Sequence, residues 1–177
     1  MITYFVAASR DGFIAREDGD VSWLDEMDIT PEDSGIGEFM SSIDGLIMGR
    51  KTYDFVFDYG TWPYGALPTW VFTNNPLESL PGANLKTTAS SQDLLQDVQR
   101  NELNDLWLVG GGQLASSFLS EGLIDVISIS EMPITLGKGI ALFARHKLED
   151  IETAQEEIVD KPGFRQRTMH VAKNSPP

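Results

Sequence analysis

Two short stretches carry residue types suited to a phosphate-bearing ligand. In Leu108-Val109-Gly110-Gly111-Gly112-Gln113-Leu114-Ala115, three bare backbone units follow an apolar run and lead into a helix-like pattern. Glycine lets the main chain approach a pyrophosphate, whose charge is met by free N–H groups at a helix N-terminus. Gly110, Gly112 and Ala115 have the spacing of the G-x-G-x-x-G/A fingerprint, and Glu131 follows about 20 residues on, as that fingerprint asks. A tight strand-to-helix turn would use the same glycines, and the fingerprint normally sits in an N-terminal βαβ unit, whereas most of this chain precedes it.

The second stretch, Leu46-Ile47-Met48-Gly49-Arg50-Lys51-Thr52-Tyr53, is another apolar run opening into a helix, now with two cations at the helix start. Two cations beside a helix N-terminus make a favourable local field for phosphate. Two such turns imply one long anionic ligand.

Other chemistries lack support. His146 and His170 have no ligand-like spacing with other candidates, no Ser/His/Asp motif occurs, and the chain has no cysteine. Disulfides and thiol chemistry are thereby excluded, which fits a reducing compartment. Aromatic residues crowd Tyr53 to Tyr64; a flat heteroaromatic substrate could stack there, and ordinary core packing would use them equally well.

Composition narrows the partners. The 177 residues suit one domain spanning 1–177, with 41% hydrophobic residues for its core. The formal charge is −14, from 27 acidic against 13 basic residues, which argues against nucleic acid and against an anionic membrane surface. Met1 to Gly12 reads as a first strand rather than a signal peptide, and no apolar run approaches the roughly 20 residues of a membrane span. The expected location is the cytoplasm.

The elements that must position these turns follow from periodicity. Ile2 to Ala8, Gly45 to Met48, Thr69 to Thr73, Leu106 to Val109 and Val126 to Ser130 read as strands, several buried on both faces. Ile36, Phe39, Met40 and Ile43 recur at helical spacing, Ser90 with Asp93 forms a capping box, and a further helix should begin near Gly112. Leu148 to Val159, the turn Asp160 to Gly163, and Phe164 to Ala172 read as a closing hairpin. The final Asn174-Ser175-Pro176-Pro177 is expected to be a frayed end. Strands alternating with helices, then a hairpin, predict an α/β fold whose mainly parallel sheet carries an antiparallel edge.

At this point a resemblance becomes specific. LIMGRKTY is similar to the strand-to-helix segment of dihydrofolate reductases, LVGGGQL to their glycine turn, and ASRDGFIA to the end of their first strand. Ser9 to Ala15 and Pro133 to Phe143 resemble the S-x-D-G-x-I-A and P-x-x-L-G-x-G-x-x-L-F signatures of the pyrimidine reductase domain of riboflavin biosynthesis. That family usually has G-A-G-T where this chain has Gly49-Arg50-Lys51-Thr52, the folate-enzyme version, and no arginine for a folate tail occurs in Trp62 to Pro68.

The resemblance implies a three-layer α/β/α fold of the dihydrofolate reductase type and a reductase using NADPH on a small pyrimidine or pterin. It implies Ala7, Ile14 and Ala15 near the nicotinamide and Gly49, Arg50, Lys51 and Thr52 near the phosphates. Phe72, Thr73 and Asn74 would flank the adenosine, with Val109, Gly110, Gly111, Gly112, Gln113 and Leu114 over the pyrophosphate. Asp11 and Asp33 are the candidate acids, although Asp11 also suits an Asp-Gly turn and Asp33 a helix start. Trp23, Phe57 and Trp62 are the candidate substrate contacts, Trp23 being equally readable as the core anchor of a long loop. Lys138 and Arg145 are the cations offered to a substrate phosphate. A homodimer is expected, with Leu123 to Ile134 adding an interface strand.

Overall fold

The buried apolar runs become neighbouring strands of one sheet. The computed structural model describes residues 1–173. In chain order its elements are β1 (Ile2–Ser9), β2 (Phe13–Ala15), α1 (Pro31–Ser34), α2 (Ile36–Ser41), β3 (Gly45–Gly49), α3 (Arg50–Asp58), β4 (Pro68–Phe72), β5 (Asn84–Thr88), α4 (Ser91–Arg100), β6 (Leu106–Gly110), α5 (Gly112–Ser120), β7 (Val126–Met132), β8 (Ile140–Ala141), β9 (Thr153–Lys161) and β10 (Phe164–Val171). Eight strands pair in the order β5-β4-β3-β6-β1-β7-β10-β9, and β2 pairs separately with β8. The strands from β5 to β7 run parallel, while β10 is antiparallel to both β7 and β9.

Period-two alternation decides which layer each strand residue meets. In β3, Leu46 and Met48 pack with Tyr53 and Val56 of α3 and with Phe39 and Met40 of α2. Ile47, between them, joins Leu94 of α4 and Phe118 of α5 on the opposite face. The result is the expected three-layer α/β/α arrangement, with the central strands of the sheet buried from both sides. The C-terminal hairpin closes at Pro162-Gly163, where Gly163 takes a φ of +81° and Lys161 pairs with Phe164.

Two expectations need correction, and one strand went unpredicted. Leu148–Asp150 forms a short 3-10 turn, so the first hairpin strand starts only at Thr153. β5 escaped the periodicity because an edge strand reading Asn-Leu-Lys-Thr-Thr has one covered face and little apolar signal. The segment Leu123 to Ile134 supplies β7, which is hydrogen-bonded to β1 on one side and β10 on the other. It therefore has no free edge to offer a partner; the free edges belong to β5 and β9. Asn174 to Pro177 lie outside the described residues.

Helix starts differ in a way that matters for the site. At α4, the Ser90 hydroxyl accepts from the Asp93 N–H at 3.1 Å and donates to its carboxylate at 2.8 Å. At α1, Thr30 and Asp33 make the same reciprocal cap. Helices α3 and α5 start instead at Gly49 and Gly111, with no side-chain cap.

Candidate active site

Parallel strands deliver their C-terminal ends to one edge of a sheet, where ligands enter the crevices between loops. Here β1, β3, β4 and β6 end at Ser9, Gly49, Phe72 and Gly110. Register places Gly49 beside Phe72 and Met48 beside Gly110. Ala7, the turn Gly49 to Thr52, the segment Phe72 to Asn74 and the turn Val109 to Leu114 therefore gather at one edge. The two glycine turns touch: a Cβ on Gly49 would lie 3.7 Å from the Gly110 carbonyl oxygen.

The three consecutive glycines have three different reasons. Gly110 has a φ of +140°, which side-chain-bearing residues rarely adopt, and its bond to Gly111 is cis. Gly112 is demanded by packing, since a Cβ there would stand 2.1 Å from the Ala141 carbonyl oxygen. Gly111 is demanded by neither. Its φ is ordinary, at −94°, and a Cβ would make only a normal contact of 3.6 Å with Thr52 Oγ1. Gly111 is also the open N-cap of α5. Bare backbone at a helix N-terminus, beside a second uncapped N-terminus, fits the phosphates of a dinucleotide.

The flanking residues reinforce that fit. Arg50 Nε donates to Asp54 Oδ1 at 2.6 Å and its Nη1 to the Pro76 carbonyl at 3.3 Å, which sets the guanidinium beside the loop that follows β4. Lys51 is exposed. Ile14 and Ala15 belong to β2, which with β8 roofs the end of β1; a Cβ on Gly139 would lie 2.2 Å from the Ala15 carbonyl oxygen. The roof is tied to the glycine turn through the Ala144 N–H, which donates to the Gly112 carbonyl.

The two candidate acids are differently engaged. Asp11 accepts from the Ser9 hydroxyl at 2.7 Å and from the N–H groups of Leu136 and Gly137 at 3.1 and 2.7 Å. Partial desolvation pushes its carboxyl up, but these donors outweigh it and hold the group below the usual carboxylate range. Such a carboxylate is a poor proton donor. Asp11 thus clamps the end of β1 to the Leu136-Gly137 loop, in keeping with the Asp-Gly turn that the sequence also offered. Asp33 accepts from the Thr30 hydroxyl at 2.7 Å within the α1 cap, the helix-start alternative left open by the sequence.

Trp23 is fully buried in a cluster with Met132 and Phe164, against which Ala7 is among the residues packed. Its indole nitrogen is the buried side-chain polar atom without a hydrogen-bond partner among the described residues. A buried donor of this kind calls for an acceptor. Phe57 and Trp62 lie in the aromatic layer over the other half of the sheet, where Trp62 packs against Tyr64 at a 5.1 Å centroid separation. The Trp62 indole N–H donates to the Gly65 carbonyl at 2.9 Å, and the ring is buried among Tyr53 and Tyr64. Burial pushes the neighbouring Tyr64 hydroxyl up to about 12, so it stays neutral. Lys138 is paired with Glu17 at 2.6 Å, and Arg145 is exposed.

A cavity of about 310 Å³ opens between α2 and the β1/β7/β10 part of the sheet. Phe5, Phe39, Ser128 and Gln166 line it, with Glu38 and Lys161 bringing one charge of each sign. The sequence reading missed these residues. The signal for Ser128 and Ser130 was their alternation with isoleucine in Val-Ile-Ser-Ile-Ser-Glu-Met, which puts two hydroxyls on a buried strand face. No signal marked Gln166, because the hairpin pattern says nothing about which face meets the cavity. No cluster of His, Cys, Asp or Glu able to hold a metal occurs among the described residues.

The model of the RibD C-terminal domain family matches residues 61–160, more than half of the chain. The chain belongs to the RibD C-terminal domain family. Among its relatives, the uncharacterized protein YwjB of Bacillus subtilis (strain 168) is 35% identical over 144 residues, covering 78% of this chain and 80% of the other. A solved structure of a protein assigned to riboflavin biosynthesis in Shewanella sp. PV-4 is 33% identical, with a TM-score of 0.77 over 97% of this chain and 99% of that one. Dihydrofolate reductase of Enterococcus faecalis, solved with NADP(H), matches in fold alone: 20% identity and a TM-score of 0.66 over 98% of this chain and 97% of that one. This RibD C-terminal domain therefore has the dihydrofolate reductase-like fold. No helix among its described residues is long and apolar enough to cross a membrane.

Proposed function

We propose that this RibD C-terminal domain protein is an NADPH-dependent reductase of a small heteroaromatic substrate. The first candidate is 5-amino-6-(5-phosphoribosylamino)uracil, whose ribosyl group would be reduced to the ribityl form. The observation that carries the reading is Gly111, an uncapped helix start whose bareness the fold itself does not require. Gly110 to Leu114 would hold the pyrophosphate together with Gly49 to Thr52, Arg50 and Lys51 adding charge. Phe72, Thr73 and Asn74 would flank the adenosine.

Bound there, the cofactor would supply a hydride; the chain supplies alignment and a dry surface. Ala7, Ile14 and Ala15 would position the nicotinamide end, and the unpaired Trp23 N–H, in the cluster against which Ala7 packs, supports a polar acceptor in that region. A pterin is the second reading. The Gly49 to Tyr53 segment favours it, and the absence of arginine from Trp62 to Pro68 disfavours it.

NADPH oxidation followed by absorbance, with the aminouracil and dihydrofolate as separate substrates, tests the proposal. Turnover of the aminouracil is expected. Turnover of dihydrofolate alone would select the pterin reading. Binding of NADPH without oxidation by either would leave a nucleotide-binding module.

A further inference from the structure

Between β1 and β10 the sheet carries a polar array that cofactor binding does not use. Ser128 and Ser130 of β7 are the register partners of Phe5 and Ala7, and Gln166 of β10 is the register partner of Ser130. Both serines are buried, at 8% and 4% exposure. Ser130 Oγ donates to Gln166 Oε1 at 2.8 Å, and Gln166 Nε2 donates to Ser128 Oγ at 2.8 Å. Donation runs one way along this chain, which fixes the amide by both of its ends.

An amide has two N–H donors and two carbonyl lone pairs. The network consumes one of each, so Gln166 keeps one donor and one acceptor, and Ser128 keeps its hydroxyl hydrogen. Gln166 and Ser128 line the 310 Å³ cavity, whose size is at the lower end for small-molecule sites. One wall is apolar, formed by Phe5 and Phe39, whose rings stack on each other at 4.5 Å with an interplanar angle of 15°. Two residues along β1 from Phe5 lies Ala7, the position expected at the nicotinamide.

We propose that Gln166 is a specificity-determining residue of the substrate site, pairing through its free donor and acceptor with an amide-type N–H/C=O ring edge. The inference rests on the reductase reading. A side-by-side donor and acceptor complements the imide edge of a uracil, which also presents both. A 2-amino-4-oxo ring keeps the N3–H/C4=O pair but replaces the second carbonyl by an amino donor, and its two-donor amidine-like edge is better matched by a carboxylate, which only accepts. Rejection follows from the unpaired group that a mismatched edge leaves buried.

The test compares wild type with Gln166→Glu and Gln166→Leu. 5-Amino-6-(5-phosphoribosylamino)uracil is titrated calorimetrically with NADP+ present, alongside KM and kcat wherever turnover occurs. Both variants are expected to raise Kd and KM tenfold or more, with NADPH affinity unchanged and kcat within threefold; melting temperature should hold in Gln166→Glu, which can still bond both serines, and fall in Gln166→Leu, which leaves Ser128 and Ser130 without that partner. Gln166→Glu should in addition shift relative affinity toward a 2-amino-4-oxopyrimidine, which Gln166→Leu should not. Unchanged aminouracil affinity in both folded variants would overturn the assignment, as would wild type that binds no uracil compound. Wild type that binds the aminouracil through Gln166 but oxidises no NADPH would overturn the reductase reading alone.

Discussion

Gly112 presses its α-carbon against the carbonyl of Ala141, so that a Cβ would stand 2.1 Å from that oxygen, while the adjoining Gly111 faces only Thr52 Oγ1 at 3.6 Å. Two neighbouring glycines thus answer to different demands. Gly112→Ala must move backbone against backbone, and overpacking of this kind costs about 1–3 kcal/mol or more. Gly111→Ala adds a methyl group where the protein has room. The expected outcome is a clear fall in melting temperature for Gly112→Ala and almost none for Gly111→Ala, with NADPH and NADH binding both weakened in Gly111→Ala. Fluorescence titration and thermal melts check it; undiminished cofactor binding in stable Gly111→Ala would return that glycine to the turn.

Arg50 is already bound to Asp54 and to the Pro76 carbonyl, which leaves its guanidinium half-exposed beside the loop after β4. A 2′-phosphate on an adenosine flanked by Thr73 and Asn74 would lie within that neighbourhood. Arg50→Ala removes a charge-assisted contact of about 1.5–3 kcal/mol. NADPH affinity is expected to fall roughly ten- to hundredfold by this arithmetic, with NADH affinity nearly unchanged. Equal losses for both nucleotides would place Arg50 on the pyrophosphate.

The strands, the capping box at Ser90 and the glycine turn were legible because each depends on local pattern: apolar runs, a Ser-x-x-Asp spacing, bare residues after a strand. The substrate side was less legible. Gln166 meets Ser128 and Ser130 only because β10 folds back beside β7, a pairing 36 and 38 residues apart that no local period reveals. Trp62 shows the converse difficulty: aromatic character in sequence is the same for a packed ring and an offered one, and the structure buries this ring in the aromatic layer.

Assembly is constrained by the interior place of β7. The homodimer we propose has to use another surface, and β9 is an edge strand with Ile158 and Val159 exposed at 52% and 42%. Edge strands that keep apolar residues in solvent invite pairing with a second copy about a two-fold axis. Light scattering at micromolar concentration is expected to give a dimer for wild type and a monomer for the double variant Ile158→Lys, Val159→Lys. A wild-type monomer would end the proposal.

Asp33 spends its carboxylate on the hydroxyl of Thr30, and its N–H on the oxygen of the same side chain. Thr30→Ala, which removes the N-cap oxygen, should therefore cost about 0.5–2 kcal/mol, and Asp33→Ala, which loses only the first-turn carboxylate, about 0.3–1 kcal/mol. Asp33→Asn, which keeps capping ability, should leave turnover within a fewfold of wild type. A loss of a hundredfold in kcat for Asp33→Asn, with cofactor affinity intact, would show that the carboxyl donates or relays the proton after all.

Asp11 sets an acid limit on stability. Its carboxyl is held low because the Ser9 hydroxyl and the N–H groups of Leu136 and Gly137 together outweigh desolvation. A group depressed in the folded state contributes stability that is complete above its unfolded value, near pH 4, and is lost as pH falls through the lower folded value. Asp11→Asn removes that contribution. At neutral pH the variant should melt below wild type, and the gap should hold down to about pH 5 and narrow as the pH falls from there to about 2, because wild type alone has a charge there to lose. NADPH oxidation by the folded variant should persist within tenfold, as befits a clamp outside the proton path. A gap that stays constant across this range would refute the clamp's ionic character, and abolished turnover in a well-folded Asp11→Asn would restore Asp11 to the chemistry.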